Sequence, residues 1–241
     1  MPEVNEVNEL NEYGQPVGPV VTGWQPRDRP ARIGLMGRYV ALQPVSVTHV
    51  PALFASLCGP GDGALWTYRP NAVPGSEGAL ADLVDIWTTA DDSLTWAVLP
   101  VGGDAAGLTS LYRIDPAHGQ TEMAAVLYAR SLQRTPAATE ATYLLMRYLF
   151  DGLGYRRFEW KCDALNEPSR RAALRLGFTY EGRFRNHMVT QGRSRDTDWF
   201  SVTDAEWPAV KAALQAWLRP DNFDEDGHQR LALSAVRDRL R

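Results

Sequence analysis

Between residues 121 and 163 the hydrophobic pattern changes period twice, and nothing else in the chain constrains the fold as much. TEMAAVLYA (121–129) reads as a strand. LQRTPAATEA (132–141) ends it and opens a helical stripe of Ala138, Ala141, Leu144, Leu145, Tyr148 and Leu149. That helix stops near Gly152 and Gly154. YRRFEWKCD (155–163) then returns to period two, with Phe158, Trp160 and Cys162 on one face and Glu159, Lys161 and Asp163 on the other. A strand, a crossover helix and a returning strand make a parallel pair.

The remaining strands read as antiparallel. SLTWAVLP (93–100) and AGLTSLYRI (106–114) lead into 121–129 through the turns VGGD and DPAHG, as a meander. FTYEGRFRNHMVT (178–190) and RDTDWFSVT (195–203) form a closing hairpin around QGRS, and RYVALQPV (38–45) is a first strand. Helices are expected over 47–57, over 77–89, after an Asn166 cap up to Gly177, and from an Asp204 cap to Leu218. LWTYRPN (65–71) is an aromatic loop. The fold class is therefore α/β (α+β): a mixed, mostly antiparallel sheet flanked by helices.

Residues 1–30 read as an extended N-terminal arm that Tyr13, Val17, Val20, Val21 and Trp24 could pin down. Residues 31–219 form the main domain, and 220–241 an acidic linker with a short tail helix. A net charge of −4 gives no footprint for nucleic acid. No run of about 18 apolar residues marks a membrane span, and the polar start MPEVNEVNELNEYG is not a signal peptide. Cys58 and Cys162 have no metal-ligand spacing, so no metal is expected and a reducing, cytoplasmic setting is.

The junction at 132–141 has the makings of an anion site without glycine. Thr135 is a good N-cap and Pro136 suits the first helical position. The N–H groups of Gln133, Arg134, Thr135, Ala137, Ala138 and Thr139 could point at a phosphate, aided by the helix dipole. Arg134 and the Thr139 hydroxyl could add side-chain contacts. A well-capped helix with no ligand explains the same residues.

Taken together with residues 162–182, this junction resembles the GNAT superfamily of acyl-CoA-dependent N-acetyltransferases, most closely its RimJ/RimL branch. That family's loop runs Gln/Arg-x-x-Gly-x-Gly/Ala, and here Gln133, Pro136 and Ala138 stand at those positions, before Thr139-Glu140-Ala141. The second signature falls in CDALNEPSRRAALRLGFTYEG, as Asn166, Ser169, Leu176-Gly177-Phe178 and Glu181-Gly182. Two departures stand out. Pro136 removes one backbone donor, and Ala173 occupies the position where many members carry a tyrosine acid.

The resemblance implies the GNAT fold, whose two parallel strands splay apart to admit acetyl-CoA as cosubstrate. Its pantetheine would pair with the edge at Leu127, Tyr128 and Ala129, and its pyrophosphate would sit on the Gln133–Thr139 turn. A backbone N–H near Tyr128 could polarise the thioester carbonyl. Glu122 is the candidate general base, directly or through water, and Ser169 the candidate acid at the sulfur. Asn166 is a further cofactor contact, with helix capping as the plainer role. Arg170 and Arg171 could reach phosphates or simply be solvated. His187 could face the acceptor, Trp66, Tyr68, Trp87, Trp160 and Trp199 are pocket or core aromatics, and Asp196 and Asp198 could draw a cationic acceptor or pair with Arg193 and Arg195. The implied reaction is direct acetyl transfer in a ternary complex to a primary amine, at a protein N-terminus or on a small molecule. The alternative is a non-catalytic acyl-CoA-binding module of the same fold. The arm and tail could cover the acceptor side or build a homodimer.

Overall fold

The computed structural model describes residues 9–225 and 227–240. A small pair, β1 (Glu9–Leu10) and β2 (Pro16–Val17), precedes the main sheet. The sheet comprises β3 (Leu35–Met36), β4 (Val40–Pro44), β5 (Leu94–Pro100), β6 (Gly107–Asp115), β7 (Gln120–Tyr128), β8 (Arg157–Asp163), β9 (Thr179–Thr190) and β10 (Arg193–Thr203). Its spatial order is β3-β4-β5-β6-β7-β8-β10-β9, and among the described strands β7 and β8 alone run parallel.

Among the described residues six α-helices flank the sheet: α1 (Val50–Leu57), α2 (Glu77–Thr89), α3 (Pro136–Arg147), α4 (Glu167–Leu176), α5 (Trp207–Trp217) and α6 (Leu233–Leu240). The 3.6-residue stripe over 77–89 forms the expected helix, with Leu80, Val84 and Trp87 buried. With α1 it covers one face of the sheet, where Val50, Leu53 and Leu57 meet Ala97, Leu108 and Leu127. The other four cover the opposite face, where Leu144, Leu145 and Met146 of α3 pack with Trp96, Val98, Phe158 and Trp160. Leu233 and Val236 bring the tail helix into this same core.

The strand–helix–strand unit forms as its periodicity predicts. Thr135 caps α3, accepting from the Ala138 N–H at 3.3 Å, and Pro136 occupies the first turn. The helix loosens into a π turn over Tyr148–Gly152 before β8. Asn166 caps α4 through the Ser169 N–H at 3.2 Å. Gln191 and Gly192, both at positive φ, make the two-residue turn of the β9–β10 hairpin.

Two expectations are corrected. Asp204 does not cap the last helix: α5 starts at Trp207, and Glu206 turns back to accept from the Thr203 N–H and hydroxyl. Of the five arm residues expected to pin the arm down, Trp24 alone is anchored, its indole donating to Ala117 O at 3.1 Å with Arg27 and Arg156 on its faces. Tyr13, Val17, Val20 and Val21 stay exposed because that part of the arm crosses no apolar surface.

One contact outside the expected pattern holds the sheet edge to the crossover helix. Glu140, in the second turn of α3, is buried. Its carboxylate accepts the backbone N–H groups of Arg38 (2.9 Å), Tyr39 (2.6 Å) and Val40 (3.1 Å). Gly37 is required beside it, since a Cβ there would collide with the carboxylate.

Candidate active site

The β7–β8 ladder runs from Gln120↔Arg157 to Met123↔Trp160 and then stops. Beyond Met123 the two strands part. Ala125 sits at φ +54, in the left-handed region, where the β6–β7 register also slips. This bulge bends β7 away from β8.

The open edge is narrower than Leu127–Ala129. The Ala129 N–H donates to Ala106 O at 2.9 Å, and Leu127 pairs with Leu108 on β6. Alternation along the antiparallel ladder therefore leaves only Tyr128 with its N–H and C=O turned toward the opening. Gln133 marks the same direction, its side-chain amide donating to Tyr128 O at 2.9 Å. The Tyr128 phenol points elsewhere, buried near Thr142, and that burial pushes its pKa up.

On the turn the amide inventory is smaller than expected. The Gln133 N–H is taken by Ala129 O at 3.1 Å, and that of Ala138 by the Thr135 cap. The N–H groups of Arg134, Thr135 and Ala137 have no acceptor among the described residues. The Thr139 hydroxyl is turned inward, accepting from Arg175 at 3.0 Å. The one residue needing glycine-like backbone is Arg134, at φ +64, and not Pro136, whose ring already fits the helix start. Replacing the family's glycine by proline thus costs one donor and no conformation.

Glu122 and Ser169 lie next to the fork on opposite faces of the sheet. Ser169 is on the α3/α4 face: its Oγ accepts from the Trp160 indole at 3.0 Å. With the indole N–H filling one lone pair, the hydroxyl hydrogen is directed away from Trp160. Glu122 is on the α1/α2 face, 1% exposed, and far from the solvent-facing strand end its position suggested. Lys161 Nζ stands 3.0 Å from its Oε2. Burial raises the Glu122 pKa, and Lys161 partly offsets that rise.

Around Glu122 the strands place Trp199, Phe184 and His187. Phe184 packs 5.3 Å from the Trp199 ring, and His187 hydrogen-bonds Thr197 Oγ1 at 3.0 Å. Tyr68, in the aromatic loop, reaches Leu165 O at 3.0 Å, and Gln191 of the hairpin turn donates to Arg69 O at 2.8 Å. The loop is therefore a strap from the hairpin to the start of α4. Trp66 and Trp87 belong to the core, and Trp160 is core except for its N–H.

Several charged residues are otherwise engaged. Asp198, fully buried, pairs with Arg183 (2.6 Å) and Arg170 (2.7 Å), and not with Arg193 or Arg195. Arg183 first, then Arg170, hold its pKa low. Asp196 accepts the Asn186 N–H at 2.8 Å. Arg170 is thereby ion-paired to Asp198, and it also bonds Glu167 at 2.8 Å, which Arg171 approaches at 3.9 Å. Glu181 of the second signature is clamped by Arg157 at 2.6 and 2.5 Å.

Residues 40–179 match the model of the acetyltransferase (GNAT) domain family, more than half of the chain. The chain belongs to the GNAT acetyltransferase family. It is an N-acetyltransferase, and GNAT enzymes use acetyl-CoA. A GCN5-related N-acetyltransferase from Brucella melitensis is 46% identical, with a TM-score of 0.87 over 90% of this chain and 99% of that one. A probable GNAT acetyltransferase from Chromobacterium violaceum is 35% identical, with a TM-score of 0.75 over 80% and 98%. Among curated proteins, "Putative ribosomal N-acetyltransferase YdaF" of Bacillus subtilis is 28% identical over 145 residues, 60% of this chain and 74% of YdaF. The parallel pair is what the crossover pattern predicts, and its splaying is what the resemblance implies.

Proposed function

We propose that this GNAT enzyme moves an acetyl group from acetyl-CoA directly to a primary amine, in a ternary complex formed at the β7–β8 fork. The observation that carries the reading is the placement of Glu122 and Ser169 on opposite faces next to that fork, with the Tyr128 edge between the parting strands. Acetyl-CoA supplies the activated thioester. Tyr128 offers one N–H and one C=O for the pantetheine arm and the thioester oxygen. The free N–H groups of Arg134, Thr135 and Ala137, at a helix N-terminus, suit the pyrophosphate, and the Arg134 side chain is exposed beside them. Ala137 and Ala138 leave room for close approach. Asn166 shapes the pocket by capping α4, which holds Ser169 in place.

Glu122 takes the proton of the incoming amine, directly or through a water, and its raised pKa brings it nearer the pH at which a base is useful. Ser169 donates to the departing sulfur. A covalent acetyl-cysteine is disfavoured: burial pushes both Cys58 and Cys162 up to about 11, so neither is a thiolate at neutral pH. The acceptor amine belongs to a protein N-terminus or a small molecule, and the ribosomal name of YdaF lends weight to the first. Two free thiols suit a cytoplasmic setting.

The test is thiol release from acetyl-CoA across a panel of amines. Ser169→Ala is expected to lower kcat by about 10- to 100-fold, the value of one hydrogen bond to a charged group, with coenzyme A affinity unchanged by calorimetry. Unchanged kcat would remove Ser169 from the reaction, and no thiol release with any amine would count against the transferase reading.

A further inference from the structure

The α1/α2 face around Glu122 is rich in cations, most of them without an anion. Arg113 lies 5.0 Å from the centre of the Trp199 ring and Lys161 5.4 Å from it. Lys161, Arg195 and Arg113 all act on His187 and, after burial, push its pKa down. Arg69, 9% exposed, acts on Tyr112, the β6 partner of Glu122. Glu122 is committed to Lys161 and Glu159 to Arg157 at 2.8 Å, and Asp92, which also acts on Tyr112, forms no ion pair with these cations. Among the described residues no carboxylate lies within ion-pair distance of Arg69, Arg113 or Arg195. Three buried N–H donors here also lack an acceptor: Trp199 Nε1, Arg195 Nε and Arg69 Nε. Trp199 itself is 8% exposed.

Buried donors without acceptors are uncommon and costly. Here the three donors are accompanied by uncompensated positive charge, and among the described residues the one acceptor beside them without a hydrogen bond, Glu122 Oε2, already has Lys161 Nζ at 3.0 Å. The ligand that satisfies them brings acceptor oxygens and negative charge.

We propose that the acceptor is an amine carrying a carboxylate a few bonds from its nitrogen, with Arg195, Arg113 and the Trp199 indole N–H seating the carboxylate. This rests on the reading that the amine approaches Glu122. A carboxylate has two oxygens able to take several charge-assisted bonds from guanidinium and indole donors. A polyamine would instead add positive charge beside Arg113, Lys161 and Arg195. Two sources share the chemistry: a free acidic amino acid, and an acidic residue at a peptide N-terminus.

The test is calorimetry on protein saturated with coenzyme A, using dipeptide amides that begin with aspartate, asparagine or lysine, together with free aspartate. The aspartyl dipeptide is expected to bind about 10-fold or more tighter than the asparaginyl one, a difference of about 1.4 kcal/mol, with the lysyl dipeptide weakest. Arg195→Gln and Arg113→Gln should each narrow that gap while leaving coenzyme A affinity and the melting temperature in place. Free aspartate binding as tightly as the dipeptide assigns the site to a small molecule; weaker binding assigns it to a peptide N-terminus. Equal binding of the aspartyl and asparaginyl dipeptides, a preference for the lysyl one, or binding of none overturns the proposal. The transferase reading is judged separately, by thiol release and by coenzyme A binding.

Discussion

Glu122→Gln is expected to lower kcat by about 10²–10⁴-fold, the usual contribution of a positioned general base, with coenzyme A affinity unchanged. Glutamine keeps the volume beside Lys161 and removes the proton acceptor. The pH profile makes the assignment specific. A base works only when deprotonated, so activity rises with pH through its pKa. Burial raises the Glu122 pKa, so the acid limb of kcat/KM should lie above the ordinary glutamate range and disappear in Glu122→Gln. Lys161 favours the charged form, so Lys161→Met should move the limb to still higher pH. A limb that survives Glu122→Gln would give the base to another group.

Glu140→Ala is expected to be the most destabilising single change among the residues discussed, by about 3–5 kcal/mol. It strands the N–H groups of Arg38, Tyr39 and Val40 and opens a hole between α3 and the β3–β4 turn. Glu140→Gln, which keeps one acceptor oxygen, should cost less, about 1–3 kcal/mol. Urea denaturation of the two variants checks the order. Because Glu140 lies directly after the cofactor turn, the alanine variant should also weaken coenzyme A binding, whereas a loss under about 1 kcal/mol would show that the three N–H groups find water instead.

The crossover unit is legible in the sequence because its elements differ in period, and the faces of β8 come from simple alternation. Conformation without a sequence marker is not legible. Ala125 and Arg134 take positive φ, where glycine or asparagine would be the signal, so neither the bulge that opens the fork nor the bend of the turn is visible in the residues. Glu140 looks like part of a helix motif, since a carboxylate meeting N–H groups about a hundred residues earlier in the chain leaves no local pattern. The burial of Glu122 is hidden for a related reason: a strand-end position says nothing about a lysine on the neighbouring strand or a hairpin folded over both.

Most of the motif's residues do fall around one fork. Sequence alone overestimates the number of amides available to a phosphate, because the Ala129 carbonyl, the Thr135 cap and the first hydrogen bond of α3 itself use three of the six. Such competition is settled only by the folded turn.

The central claim is that acetyl-CoA lies along the Tyr128 edge with its pyrophosphate on the Gln133–Thr139 turn. Calorimetric titration of the wild type and of Ala138→Glu with acetyl-CoA and with desulfo-CoA tests it most directly. The account predicts micromolar binding of both ligands to the wild type, and its loss in a variant that melts at the same temperature, because glutamate at that position puts bulk and negative charge where the phosphates sit. Equal binding by the folded variant, or no binding by the wild type, would contradict it.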